Sequence, residues 1–370
     1  MAEAPASELV DQQRSRHRQV RPAEIQRRIA AEQERDDGRL TKSQGKFRSL
    51  DSGHQERSLL LIGVHRSIHR KGASGLNMHD VQRQLHSEGY AIVRGFFDAD
   101  EMKQIALETD RIYQEGLRHH TTYRHKNLLL EVLEDPKARR RVVIQAHWTA
   151  WISSYLEHMR RHPKYFELLG PLLGPDIKQI THQLHWKPPG AKYTYYRYHQ
   201  DAKFRNQSAV RNLLYGSINT GLAIDRQTVE NGALRVVPRS HLRGYLGLSE
   251  DQTLMTGQTP DEDLVRVGLD PATIVTCTMD PGDLLLWTLY TVHGSAPNIS
   301  SYDRRFMISS YVRAGDSDRG EWTFRGGVST PLGPEPEICK YEELREKPGP
   351  FYIEPDWTEE ARAARAHDPA

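Results

Sequence analysis

Cysteine is scarce in this chain, and so are long apolar runs and any excess of one charge. The two cysteines among 370 residues, Cys277 and Cys339, lie far apart and form no Cys-x-x-Cys pair. They predict neither a disulfide framework nor a thiolate zinc site, so a reducing cytoplasm is the expected location. No stretch reaches about 18 consecutive apolar residues, and acidic Glu3 and Glu8 lie near the start, so we expect no membrane span and no signal peptide.

The overall charge is nearly balanced, with 51 Lys and Arg against 49 Asp and Glu. This balance gives no case for nucleic acid or an anionic membrane as a partner. Any charged ligand must therefore be recognised by a local group of residues.

Residues 1–58 differ in composition from the rest of the chain. They carry 12 basic and 10 acidic residues and few large apolar ones, so they cannot bury enough surface to offset their ordering entropy. Pro22, Ile25 and Ile29 predict a short helix over 22–34. We interpret the segment as a flexible or helical extension, solvated or packed as a lid; the alternative is a basic docking arm.

The folded domain is predicted over residues 78–315. A strand at 89–97 precedes a helix at 100–117 that Asp98 or Asp100 caps, and a second helix is predicted at 142–159. Beyond Gly174, short apolar runs separated by Gly, Pro, Asn and Asp are typical of strands and turns. The predicted strands are 177–186, 193–199, 213–223, 233–237, 274–279, 284–289 and 306–312.

Helices followed by many short strands predict an α+β fold, in which N-terminal helices flank a sandwich or jelly-roll core. Residues 249–270, rich in Thr, Asp and Gly, are predicted to be an insertion or active-site flap. Residues 316–370 are interpreted as a tail that packs on or near the core.

His199 and Asp201 stand at the end of a predicted strand. Residues i and i+2 of an extended chain project to the same side, so the two side chains can bind one metal ion. A second strand leads from the Pro281–Asp283 turn to His293. Two histidines and one carboxylate leave adjacent positions open on ferrous iron, and zinc is the alternative metal.

Arg304 follows His293 after a turn at 297–298. A returning antiparallel strand would bring its guanidinium beside His293, where it can bind the distal carboxylate of a keto acid that chelates the metal. Ser295, on the same face as His293, can add a hydroxyl contact. Arg305 is expected on the opposite face, in a salt bridge.

His241 ends a hairpin that begins at the Asn231-Gly232 turn. Because three other residues already complete the metal site, we predict a structural hydrogen bond for His241. Strict alternation along 193–199 would place Tyr196 and Tyr198 on the face opposite His199.

Basic residues near the strand ends predict an anionic or polar substrate, with solvated strand edges as the alternative explanation. These residues are Lys187, Lys192, Lys203, Arg205, Arg211 and Arg235.

Together these segments resemble the phytanoyl-CoA dioxygenase family, which includes ectoine hydroxylase-like enzymes. The resemblance covers about residues 85–312 and implies a double-stranded β-helix with a cupin-like jelly roll. It also implies Fe(II) bound by His199, Asp201 and His293, 2-oxoglutarate bound by Arg304, and O₂ as a further reactant. The matching segments are 89–97, 199–201, 230–241, 281–283, 293–298 and 304–305.

The implied activity is oxidative decarboxylation of 2-oxoglutarate to succinate and CO₂, coupled to hydroxylation or related oxidation of a small-molecule substrate, for example in secondary metabolism. Halogenating relatives carry a small residue in place of Asp201, so its presence favours hydroxylation. Family members also suggest Gln183 as a 2-oxoglutarate contact. Two other classes stay open: a non-catalytic iron- or keto-acid-binding regulator, and a cupin-type isomerase or hydrolase.

Overall fold

The computed structural model describes residues 78–135, 140–191, 194–205, 209–249 and 259–337, and part of 344–353. The predicted extension over 1–58 and its helix lie outside the described residues. Apart from Leu242–Gly244, the described residues belong to one compact unit. Its helices are α1 (Met78–Glu88), α2 (Ala99–Leu117), α3 (Ser154–Arg160), α4 (Pro163–Leu173) and α5 (Asp261–Arg266).

Most strands of the described chain join one of two antiparallel sheets. Seven of them overlap the strands predicted beyond residue 174, with changed ends. The strands are β1 (Tyr90–Val93), β2 (Thr122–His125), β3 (Leu128–Asp135), β4 (Arg140–His147), β5 (Ile177–Lys187), β6 (Tyr196–His199), β7 (Ser217–Ala223), β8 (Leu234–Val236), β9 (Val275–Thr276), β10 (Leu284–Thr288), β11 (His293–Ser295), β12 (Arg304–Arg313), β13 (Glu321–Arg325), β14 (Val328–Ser329) and β15 (Phe351–Ile353).

The large sheet has the strand order β1-β10-β7-β12-β5-β4-β3-β2-β15, with β13 also paired to β5. The small sheet has the order β6-β11-β8-β9. Neighbouring strands in both sheets run antiparallel, for example β12 beside β5 and β11 beside β6. The predicted combination of flanking helices with a mainly antiparallel β core is confirmed.

Helix α2 begins where the sequence predicts it, because Asp98 caps its first turn. The Asp98 carboxylate accepts hydrogen bonds from the backbone N–H groups of Asp100 and Glu101, and the Glu101 side chain accepts from the Asp98 N–H. Such reciprocal capping stabilises a helix by about 1 kcal/mol. Further along α2, Ile105 and Ile112 are fully buried.

The second predicted helix, over 142–159, is wrong over most of its length. Strand β4 runs to His147, a short 3₁₀ helix follows at Thr149–Trp151, and the α-helix begins only at Ser154. Residues 142–144 are β-branched, and β4 lies between β3 and β5, which satisfy its backbone on both sides. The tryptophan spacing matched a helix, but the chain leaves β4 at Trp148, a buried residue with a left-handed φ of 54°.

The core has two layers that determine where a site can form. One apolar cluster joins α1 to α4 with one face of the large sheet. A second cluster, which includes Leu234, Trp287 and Phe306, fills the space between the large and small sheets. The helices therefore cover one face of the large sheet, and the other face is turned toward the small sheet.

Three further findings bear on the predictions for single segments. Within the predicted insertion at 249–270, residues 250–258 lie outside the described chain, and α5 occupies part of the remainder. After residue 315, β13 pairs with β5 and β15 pairs with β2. None of the helices in the described ranges is long and apolar enough to cross a membrane.

Candidate metal and co-substrate site

His199, Asp201 and His293 converge at one end of the small sheet. His199 ends β6, His293 begins β11, and the two are register partners across that strand pair. Asp201 starts the short 3₁₀ turn after β6, and its carboxylate oxygens lie 3.5 Å from His199 Nε2 and 3.4 Å from His293 Nε2. One ligand atom from each residue lies within 4.8 Å of the other two, so a single metal ion can reach all three.

Both imidazoles are oriented by backbone carbonyl groups. His199 Nδ1 lies 2.7 Å from the Arg197 carbonyl oxygen, and His293 Nδ1 lies 2.9 Å from that of Thr291. A carbonyl can only accept, so each Nδ1 is the donor and each ring turns its Nε2 toward Asp201. A metal cation bound between these groups would contact both Nε2 atoms and the carboxylate.

The ionisation states suit a metal site. Burial lowers the pKa of His293 to about 4, even though the Asp201 carboxylate opposes the shift. For Asp201, burial alone would raise the pKa, but His293 and His199 hold it below its ordinary value. Near neutral pH, His293 is therefore neutral and Asp201 is ionised, which are the forms that bind a metal.

Asp201 is also held by two residues of the large sheet that the sequence reasoning missed. Its Oδ2 accepts hydrogen bonds from Asn219 Nδ2 at 2.5 Å and from Trp287 Nε1 at 3.1 Å. Asn219 on β7 and Trp287 on β10 are register partners. Because Oδ2 accepts both of these hydrogen bonds, Oδ1 is the oxygen more available to a metal ion. No local motif marks an amide and an indole inside two predicted strands as partners of a distant aspartate.

Tyr196 corrects the prediction made from strict alternation. Its hydroxyl oxygen lies 2.6 Å from Gln145 Nε2 and 3.2 Å from His185 Nδ1. Both residues belong to the large sheet, which also supplies the two hydrogen-bond donors to Asp201. The register between β6 and β11 shifts by one residue, which is a β-bulge in β6. The bulge turns both Tyr196 and His199 toward the large sheet, whereas Tyr198 packs in a separate apolar cluster.

Arg304 is a buried cation at the start of β12, with 2% of its surface exposed. One Nη donates to the Gly232 carbonyl, the guanidinium lies 5.3 Å from the Phe306 ring centre, and Nε has no hydrogen-bond partner. Burial lowers its pKa to about 10, so it stays charged at neutral pH. Among the described residues, no carboxylate forms an ion pair with it. A buried charge of this kind favours an anionic ligand.

Lys187 and Ser295 lie next to Arg304. Lys187 is the register partner of Arg304 across β5 and β12. Its Nζ donates to Ser295 Oγ at 2.7 Å and to the Ala296 carbonyl at 2.6 Å, and only 1% of Lys187 is exposed. The strand-edge explanation is therefore wrong for Lys187. Its pKa is lowered well below the ordinary value by burial and then by the Arg304 and Arg235 charges.

Comparison with known proteins identifies the fold and its chemistry. The model of the family described as phytanoyl-CoA dioxygenase (PhyH) matches residues 85–306. The chain belongs to the phytanoyl-CoA dioxygenase family. The predicted family, its class of 2-oxoglutarate-dependent non-haem iron dioxygenases, and the cofactors Fe(II), 2-oxoglutarate and O₂ are confirmed.

Two relatives of this phytanoyl-CoA dioxygenase family member are named for their activities. A probable alpha-ketoglutarate-dependent hypophosphite dioxygenase from Stutzerimonas stutzeri is 26% identical over 239 residues, covering 63% of this chain and 78% of that protein. A methylphosphonate hydroxylase from Gimesia maris is 30% identical over 152 residues, covering 41% of this chain and 52% of that protein. This chain thus matches only about half the length of the second relative.

A solved structure supports the fold. The crystal structure of EctD from S. alaskensis with 2-oxoglutarate and 5-hydroxyectoine aligns with 73% of this chain and 86% of its own, at a TM-score of 0.50 and 16% sequence identity. At this identity the likeness concerns the fold alone.

The remaining basic residues have different environments. Arg205, half-buried, donates to Thr181 Oγ1 at 3.3 Å and to Ser310 Oγ at 3.2 Å. Ser310 Oγ in turn donates to Asn219 Oδ1 at 2.6 Å, and Asn219 binds Asp201, so Arg205 lies near the metal ligands. The others lie elsewhere: Lys203 donates to the Ser249 carbonyl, Arg211 is exposed and pairs with Asp318, Arg235 is half-buried on β8, and Lys192 lies outside the described residues.

Two further predicted residues have clear positions. Gln183 is half-buried on β5, and its Oε1 lies 3.1 Å from His185 Nε2. Arg305 pairs with Asp225 and Asp110 on the opposite face from Arg304, as predicted.

His241 forms the structural hydrogen bond predicted for it. Its Nε2 lies 2.9 Å from the His86 carbonyl oxygen, away from the three converging ligands.

Proposed function

We propose that His199, Asp201 and His293 bind Fe(II) in an enzyme that hydroxylates a small anionic molecule. The observation that carries this proposal is the convergence of two Nε2 atoms and one carboxylate, whose ligand atoms all lie within 4.8 Å of one another. Bound iron, together with 2-oxoglutarate and O₂, supplies the oxidising power. The contribution of the protein is to fix the ligands, since both Nδ1 atoms and Asp201 Oδ2 are already committed to other partners.

Arg304, Ser295 and Gln183 are the proposed contacts of 2-oxoglutarate. Arg304 would bind the distal carboxylate, because its buried guanidinium has an unpartnered Nε and no ion-pair partner in the described chain. Ser295 lies two residues beyond His293 on β11, so its hydroxyl is within reach of the same carboxylate. Gln183, on the same face of β5 as His185, would contact the co-substrate from the other side.

A double-stranded β-helix is the proposed architecture around this site. The strands β5, β12, β7 and β10 are neighbours in the large sheet, and β6, β11, β8 and β9 form the small sheet. Successive strands from β5 onward thus alternate between the two sheets in most steps, as a jelly roll requires. We take residues 78–315 as the oxygenase domain, 249–270 as its insertion and 316–370 as the tail.

The proposed substrate is a small oxyanion such as a phosphonate or phosphinate. Both relatives are named for such compounds, hypophosphite and methylphosphonate. Arg205 supports the same class independently, since it is a cation linked to Asp201 through Ser310 and Asn219. Arg205 would bind the anionic group and so place a neighbouring C–H or P–H bond toward the metal.

An anaerobic titration tests the cofactor part of the proposal. Fe(II) followed by 2-oxoglutarate should give the weak visible charge-transfer band of a chelated keto acid, and Asp201→Ala should abolish the band. Iron binding without a band would favour the regulator or the cupin-type enzyme.

A substrate panel tests the rest. Succinate formation should rise with methylphosphonate or hypophosphite and stay at the background rate with an uncharged analogue of the same size. Equal stimulation by charged and uncharged compounds would contradict an anionic substrate.

A further inference from the structure

The Ser295 hydroxyl has one hydrogen bond among the described residues, and it accepts that bond. Lys187 Nζ donates to Ser295 Oγ at 2.7 Å and to the Ala296 carbonyl at 2.6 Å. Lys187 Nζ is the donor in both of these hydrogen bonds. The Ser295 hydroxyl hydrogen must therefore point to some other acceptor, although Ser295 is only 5% exposed and has no such acceptor among the described residues.

Lys187 and Arg304 place two basic side chains next to each other, and no carboxylate of the described residues pairs with either. They are register partners on adjacent strands, and they are 1% and 2% exposed. The Tyr196 ring, which is uncharged, lies 5.2 Å from Lys187 Nζ. Like charges buried together are unfavourable unless an anion lies beside them, so a bound carboxylate would stabilise both.

Resting on the function proposed above, we infer that Lys187 is a positioning residue of the co-substrate pocket: by donating to Ser295 Oγ, it directs the Ser295 hydroxyl hydrogen to the distal carboxylate of 2-oxoglutarate. Lys187 thus acts through Ser295, whereas Arg304 contacts the carboxylate itself. The Ala296 hydrogen bond keeps Nζ in place, because it uses a backbone acceptor that cannot rotate away. A Lys buried only to hold β11 against β5 would affect stability and leave 2-oxoglutarate affinity unchanged.

Calorimetric titration of 2-oxoglutarate into the anaerobic Fe(II) protein tests this inference without measuring turnover. Lys187→Met and Ser295→Ala should each raise the dissociation constant about tenfold or more, as expected for a hydrogen bond to a charged group. The double variant should bind 2-oxoglutarate no more weakly than the weaker single variant, because both changes remove the same hydrogen bond from the Ser295 hydroxyl to the carboxylate. Lys178→Met, on the same strand but bonded to the Ser317 carbonyl, should bind as the wild type does.

Two results would overturn the inference. One is an unchanged dissociation constant in Lys187→Met alongside a lowered melting temperature. The other is a dissociation constant in the double variant that is raised by the product of the two single-variant factors, which would mean that the two residues act independently. If Lys187→Met does not fold, Ser295→Ala decides, since wild-type affinity in that variant would mean that no hydroxyl donation occurs. Failure of the wild type to bind 2-oxoglutarate would instead contradict the proposed function.

Discussion

His199 and His293 are direct partners across the β6–β11 pair, and their ring centres lie 4.3 Å apart. The chain separates them by the whole of β7 to β10, so their proximity depends on the register of two short strands. A slip by one residue would turn one ring to the other face of the sheet. The bulge in β6 and the pairing of β11 with β8 on its other edge fix that register.

Loss of a proposed ligand should abolish iron-dependent turnover. His199→Ala and Asp201→Ala should each lose bound iron, because two ligands remain where three converge. His241→Ala is the matched control, since that histidine bonds to the His86 carbonyl and should keep its iron. Iron per protein and succinate formation are the measurements. Full activity in Asp201→Ala, or iron loss in His241→Ala, would show that the ligands were chosen wrongly.

Arg304→Ala should raise the 2-oxoglutarate requirement while iron stays bound. Removing the buried cation leaves the distal carboxylate of the co-substrate without its partner, which costs about 2–5 kcal/mol or roughly 30-fold or more in affinity. The KM for 2-oxoglutarate and the strength of the visible band measure the effect.

Arg305→Ala provides the control for Arg304. It removes ion pairs with Asp225 and Asp110 on the opposite face. The melting temperature should therefore fall, and the KM for 2-oxoglutarate should stay unchanged. Equal KM increases in both variants would argue against a specific role for Arg304.

Asn219→Ala should weaken metal binding although Asn219 is not a ligand. It donates to Asp201 Oδ2, and loss of such an outer partner costs about 10–100-fold in metal affinity. Thr220→Val, one position along β7, removes only a bond to the Ser309 carbonyl and should leave metal affinity within about twofold. A competitive chelator titration compares the two, and equal affinities would contradict the prediction.

Arg205→Met should raise the KM for an oxyanion substrate and leave the anaerobic binding of 2-oxoglutarate unchanged. The guanidinium is linked to the metal ligands through Ser310. Removing its charge should therefore weaken binding of the proposed oxyanion substrate. Lys203→Met, two residues earlier and bonded to the Ser249 carbonyl, is the control. If both variants keep wild-type KM values, Arg205 does not bind the substrate.

Gly232→Ala should reduce both stability and 2-oxoglutarate affinity. Gly232 has a φ of 73°, a Cβ there would collide with the Ala296 carbonyl, and its own carbonyl holds Arg304. Gly326→Ala, at φ 55° with open space around the Cβ position, should cost only about 1–2 kcal/mol of conformational strain. Thermal unfolding and KM should separate the variants, and an unaffected KM in Gly232→Ala would mean that Arg304 does not depend on this carbonyl.

Much of the site was predictable because short sequence patterns contain its candidate ligand residues. The spacing of His199 and Asp201, the turn before the strand that leads to His293, and the position of Arg304 each depend on neighbouring residues, and the structure brings these side chains to one end of the sheets. The capped helix α2 was predictable for the same reason, since Asp98 and Glu101 act within one turn.

Contacts between distant strands were not predictable in this way. Residues 142–147 matched a helix until β3 and β5 supplied partners on both edges. Tyr196 faces the large sheet only because β6 contains a bulge, and Lys187 is buried only because β12 and β11 cover it.

The sequence by itself determined the family, seven of the strands beyond residue 174 and the residues able to hold a metal and a keto acid, because local patterns select residue types and spacings. Tertiary structure alone decided what surrounds those residues, namely Asn219 and Trp287 on Asp201 and the pair of buried basic side chains beside Ser295. Their environment depends on register between strands far apart in the chain, which no local pattern encodes.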